Sequence, residues 1–255
     1  MKRNLRLFSL CVLLIVICST GYGSTLYSFY QRIEKLNLSK VIIPDSIIND
    51  RNERYKHQDP LGFIGEDYQR FQIHFTSITK SKSSPYLYII SGKTLVHNNI
   101  CSFTGTLKIV SADYDTSSLM KLIGYQNFKR GFITSQIKII EDSNQLASGI
   151  INGRLETDCY FDDKGKIFYN ALMIVADGFS NNSFIGNWTS FKTGLSKKCN
   201  WGDGRIPDCG DLDGGTGEFI PDEKYYDNGW RSYINSFESG DSIKAKTVIN
   251  SEWWK

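Results

Sequence analysis

CSFTGTLKI, residues 101–109, alternates without a break. Cys101, Phe103, Gly105, Leu107 and Ile109 fall on one face; Ser102, Thr104, Thr106 and Lys108 fall on the other. A period of two with one apolar face marks a strand of an antiparallel sheet, one side on a core and the other in water. The pattern repeats on both sides of this stretch. RFQIHFT (70–76) aligns Phe71, Ile73 and Phe75, and ITSQIKI (133–139) aligns Ile133, Ile137 and Ile139. INGRLETDCYF (151–161) aligns Ile151, Leu155, Cys159 and Phe161. Turn-forming clusters such as SKSSP, SADYD, EDSNQ and DDKG separate the runs,. KIFYNALMIVA (166–176) is apolar on both faces and reads as a central or covered segment.

Six to eight such strands in sequence order predict an all-β antiparallel meander, which hides its edges best by closing into a barrel. A two-sheet sandwich is the alternative. The motif apolar–x–Gly–x–apolar recurs at Phe103/Gly105/Leu107, Ile151/Gly153/Leu155 and Phe184/Gly186/Trp188. Glycine inside a strand marks a sharp bend or a close backbone approach, which a strongly curved barrel needs. The last copy, FIGNW (184–188), resembles the Gly-x-Trp strand of lipocalin- and avidin-type barrels. In lipocalins that strand is the first, whereas here it comes late. The resemblance implies a closed or partly closed lipocalin-like barrel and no particular function.

Outside the strands, the chain divides into three. Lys2, Arg3 and Arg6 precede an apolar run over 7–18 and the small-residue stretch STGYGS. A basic start, a short apolar run and a small-residue exit form a secretory signal peptide over 1–23. The run is shorter than the roughly 20 residues that span a bilayer, so membrane contact is expected only through this segment if it is retained. Residues 24–66 read as a polar N-terminal extension with a short helix in FYQRIEKLNL. Residues 67–255 read as one β-rich domain carrying a long irregular C-terminal loop region.

Export places the protein in the periplasm, at the cell surface or outside the cell, and sets how the cysteines are read. Of six cysteines, Cys11 and Cys18 fall in the signal segment, which leaves Cys101, Cys159, Cys199 and Cys209. The expected pairs are Cys101–Cys159, both on apolar strand faces, and Cys199–Cys209, which closes a short loop. The whole chain has 30 basic and 27 acidic residues; without residues 1–23 it carries 27 of each. A neutral chain argues against a nucleic-acid partner.

Residues 199–230 differ from everything before them: seven glycines and little periodicity. Asp208, Asp211, Asp213 and Glu218 place hard oxygen donors at close spacing, the chemistry that takes Ca2+. The EF-hand spacing fails, because Thr216 stands where the turn glycine belongs and Asp222 where the bidentate Glu belongs. The alternative is an acidic, solvated loop. Trp188, Trp201 and Trp230, with Arg205, are the candidate ligand- or partner-binding residues. No catalytic signature is present: G-x-S-x-G, H-E-x-x-H and the dinucleotide-binding glycine fingerprint are all missing,. The expectation is a non-catalytic exported protein that binds a small molecule, glycan or protein. The alternatives are a hydrolase using carboxylates of 208–223, or an inhibitor or immunity protein that blocks a partner enzyme.

Overall fold

The structure is a computed structural model that describes residues 26–117, 119–215, 217–238 and 252–255. The expected signal peptide over 1–23 lies outside the described residues. Eight antiparallel strands close a barrel: β3 (Leu61–Ile64), β4 (Gln69–Lys80), β5 (Leu87–Val96), β6 (Asn99–Tyr114), β7 (Lys129–Glu141), β8 (Gly149–Phe161), β10 (Asn181–Ser190) and β11 (Ser196–Asp203). Each strand pairs with the next, and β11 returns to β3. A short β9 (Ile167–Tyr169) pairs with the end of β8, so only three residues of the apolar segment 166–176 become strand. β1 (Ser46–Ile48) and β2 (Arg54–Lys56) form a separate hairpin. The architecture is the expected lipocalin-like barrel, and the Gly-x-Trp strand is β10.

The alternation holds until a bulge flips it. In β6, Cys101, Phe103, Leu107 and Ile109 point inward; the register then shifts, Val110 is exposed and Ala112 is buried. In β4 the shift between Phe75 and Ser77 moves the inward set from Phe71 and Ile73 to Ile78. One extra residue on one strand reverses which parity faces the core. The motif glycines sit where strands crowd. Gly153 and Gly186 oppose each other across β8 and β10, and a Cβ on Gly153 would lie 2.3 Å from the Ile185 carbonyl oxygen.

The segment expected as a polar extension enters the core. α1 (Leu26–Glu34) and α2 (Ser39–Ile42) close one barrel mouth, and Phe29, Ile33, Leu38 and Ile42 are buried with the barrel residues. Phe29 stacks on Tyr114 and meets Phe161 edge-on, and Tyr30 stacks on Tyr86. Lys80 Nζ donates to the Glu34 and Leu36 carbonyls, which satisfies the end of α1 and the residues just after it,. The expected boundary at 66/67 therefore falls after the first barrel strand, β3. The helix expected in FYQRIEKLNL overlaps α1, but its burial against the barrel and the four-residue β3 carry too little period to be told from a polar extension.

The opposite mouth is closed by a buried carboxylate. Glu141 accepts hydrogen bonds from Thr94 Oγ1, from the Gly149 amide at 2.8 Å and from Trp188 Nε1 at 2.9 Å. After β11 the chain folds back over the outer face of β3 and builds a second core of Phe63, Ile206, Leu212, Phe219 and Trp230. α3 (Arg231–Glu238) follows it.

The expected disulfides are not formed; Cys101, Cys159, Cys199 and Cys209 are free thiols. Cys159 lies opposite Gly131 on β7, and Gly131 lies opposite Tyr114 at the far end of β6 from Cys101. The two cysteines are thus roughly 40 Å apart along the strands at about 3.3 Å per residue, far beyond a disulfide's reach. Sharing an apolar face did not mean sharing a level. Cys199 points into the barrel, whereas Cys209 packs in the outer core on the other side of the sheet.

Candidate functional site

Residues 57–60, between β2 and β3, pass over the plugged side of the barrel and bring a histidine against the last residue of β11. His57 Nε2 lies 2.9 Å from Asp203 Oδ2. The same oxygen accepts from the Tyr169 hydroxyl at 2.7 Å and from Asn182 Nδ2 at 3.0 Å. Asn182 takes a positive φ of 45° at the β10 irregularity, a backbone region that Asn tolerates better than most residues,. Its amide is thereby fixed: the oxygen accepts from Thr157 Oγ1 and the nitrogen also donates to the Ile42 carbonyl. A second pair lies beside the first. His74 Nδ1 is 2.7 Å from Asp59 Oδ1, and the His74 ring stacks on Trp254 at 3.7 Å.

These groups divide two cavities. The outer one, of about 510 Å³, has an apolar wall of Ile47, Ile174, Val175, Phe179 and Phe219 and a polar wall that includes His57, Asp59, Asp203, Arg205 and Glu218. The inner one, of about 260 Å³, reaches Leu107, Ile137, Leu155 and Trp201 inside the barrel. Residues 56–59 and Asp203 border both.

Burial works against the charged form of His57, yet its pKa is raised, because the hydrogen-bonded Asp203 carboxylate and then Asp59 and Asp45 outweigh that penalty,. Burial, then the charge of Asp203, pushes the Tyr169 hydroxyl well above the ordinary tyrosine range. The cluster thus holds a proton between His57 and Asp203 while Tyr169 stays a neutral donor. That is the chemistry of a fixed polar anchor.

The residues singled out from the sequence are dispersed. Asp208 pairs with Lys198, Asp211 with Lys224 and the Tyr225 hydroxyl, and Asp213 with Arg205. Each of those three acids answers a different base. Among the described residues, no three His, Cys, Asp or Glu side chains gather as a metal site. Arg205 also donates to the Gly217 carbonyl, so its guanidinium pins the loop against itself at the rim of the outer cavity. Trp201 is 2% exposed and stacks on Phe184, and Trp230 is 0% exposed, so neither offers a face to solvent. Trp188 is half-buried and tied to Glu141. Of the expected binding set, Arg205 lines the outer cavity and Trp201 the inner one. Glu218, expected as a metal ligand, also lines the outer cavity.

His57, Asp59, Tyr169, Asn182 and Asp203 carried no local signal. His57 sits in the charged stretch NDRNERYKHQD, which reads as solvated, and its partner is 146 residues away. His74 reads as an exposed residue on a polar strand face; its cover, Trp254, lies at the other end of the chain.

Comparison with protein-family models, with curated proteins and with solved structures gives no match for this chain.

Proposed function

We propose that this is an exported, non-catalytic binding protein that takes a small, largely uncharged molecule in the outer cavity. The observation that carries the reading is a cavity of about 510 Å³ with one apolar wall and one buried hydrogen-bonding cluster. That size and mixture suit a small-ligand site. The apolar body of the ligand would lie against Ile47, Ile174, Val175 and Phe219, and its polar group would face Asp203 and His57. Charge argues for a neutral ligand. Asp203 is answered by His57, and Arg205 by Asp213 and the Gly217 carbonyl. Lys56 and Glu218 also line the cavity, but at exposed positions, so a charged ligand would find the cavity's inner, buried charges already paired and would leave its own desolvated and unpaired.

Nile red, an uncharged polarity-sensitive dye, tests this. One equivalent is expected to bind with a blue-shifted emission. Ala176→Trp, which fills the cavity from a half-buried wall position, is expected to abolish that binding while the protein keeps its β-rich circular dichroism. Absence of dye binding, or equal binding by the folded variant, would overturn the proposal.

A further inference from the structure

Across the outer face of the barrel, the strand register aligns polar and basic residues in rows. Thr106, Lys138, Asn152, Asn187 and Lys198 stand opposite one another in sequence across β6, β7, β8, β10 and β11. The next row adds Lys108, Gln136 and Arg154. The rows border a groove of about 1080 Å³ that passes over the point where Gly153 and Gly186 face each other. Lys108 to Lys198 crosses four strand steps, roughly 19 Å at about 4.8 Å per step.

We propose that this groove binds a linear anionic oligosaccharide. Lys108 and Lys138 are exposed and have no ion pair among the described residues, whereas Arg154 and Lys198 are met by Glu156 and Asp208. Two unanswered positive charges, with Arg154 and Lys198 beside them, outnumber Glu66, the one carboxylate among the groove's described lining residues, and attract a chain of negative charge,. Between the cations stand Gln136, Asn152, Asn187 and Thr106, which both donate and accept hydrogen bonds. That alternation matches a ligand carrying hydroxyls between its acidic groups. Single-stranded nucleic acid fits less well, because no aromatic side chain lines the groove for a base to stack on,. A lipid surface is flat and does not enter a groove. The site is separate from the outer cavity and does not depend on the reading given for it.

The test measures binding of the full chain to hexagalacturonate by titration calorimetry. Maltohexaose, octaglutamate, a ten-residue oligothymidylate and phosphatidylglycerol vesicles serve as competitors. Hexagalacturonate is expected to bind, and maltohexaose is not. Lys108→Gln with Lys138→Gln is expected to weaken binding at least tenfold, whereas Lys82→Gln, outside the groove, leaves it unchanged. Asn152→Ala with Asn187→Ala is expected to weaken the oligosaccharide several-fold and to leave any binding of octaglutamate unaltered. Lys82, Lys108, Lys138, Asn152 and Asn187 all lie at exposed positions, and unchanged melting temperatures would confirm that folding is intact. The proposal is overturned if the lysine pair does not matter. It is overturned equally if octaglutamate, the oligothymidylate or the vesicles displace hexagalacturonate at equal charge concentration, which would show a surface that reads charge alone.

Discussion

Glu141 is 4% exposed and has no basic partner among the described residues, yet three donors converge on it. A buried carboxylate is tolerable only with such donors, and they in turn depend on it. Glu141→Ala strands Thr94 Oγ1, the Gly149 amide and the Trp188 indole, and is expected to cost about 3 kcal/mol in urea unfolding. A loss within 0.5 kcal/mol, roughly the size of an ordinary surface change, would show that water takes over all three. The free thiols give a second residue-scale prediction. Burial raises all four, and Cys159 and Cys199, which are fully enclosed, lie well above the ordinary range. The thiolate is the reactive form, so native-state alkylation followed by peptide mapping is expected to label Cys209, which is only partly buried, before Cys159 and Cys199,. Mapping of a Cys199–Cys209 peptide pair would reverse that expectation.

At the scale of the element, β8 and β10 close the barrel, and they do so at Gly153 and Gly186. A methyl group on Gly153 would stand 2.3 Å from the Ile185 oxygen, 2.4 Å from the Phe184 ring and 2.7 Å from the Gly186 α-carbon. Two of those three are backbone, which cannot rotate away. Gly153→Ala is therefore expected to part the two strands and lower the melting temperature by several degrees, with faster amide exchange in β8 and β10 than in β5. Exchange unchanged in those strands would refute it. The recurring glycine motif was legible in the sequence as a sign of close approach, because such contacts demand the missing side chain. The strands were legible for a related reason: long runs of period two record their burial face residue by residue. The bulges at Val110 and Thr76, by contrast, leave no mark except a broken alternation that a loop would also produce. The short helix was legible, since Phe29, Ile33 and Leu36 share a face, but a helix of that length does not record what its apolar face packs on, so its place in the barrel mouth was hidden. The disulfide expectation failed for want of register, which belongs to the pairing of strands and not to either strand alone.

For the whole molecule, segments far apart in the chain meet over one side of the barrel. The N-terminal segment supplies His57 and Asp59; the later strands supply Tyr169, Asn182 and Asp203; and Trp254 covers His74. No stretch of sequence holds this site, so only the closed fold assembles it, and its stability is that of the fold. The pH dependence follows from the sign of the His57 shift. In the unfolded chain the imidazole titrates near its ordinary value of about 6.5, whereas in the folded protein Asp203, Asp59 and Asp45 hold the proton to higher pH against the opposing effect of burial. The folded state then binds more protons than the unfolded state between those two values, and stability falls as pH rises through that window. The stabilisation is fully present below the unfolded value and absent above the folded one. Melting temperatures between pH 5.5 and 9 are expected to decline across this window in the wild type. They should decline less in Asp203→Asn, which keeps the hydrogen-bonding shape but removes the charge. His57→Gln, which cannot titrate, should lose the decline altogether. Titration of the His57 ring by NMR locates the window independently and is expected to show a midpoint above the ordinary value. Parallel melting curves for wild type and His57→Gln would show that the two halves of the chain are held together by packing alone.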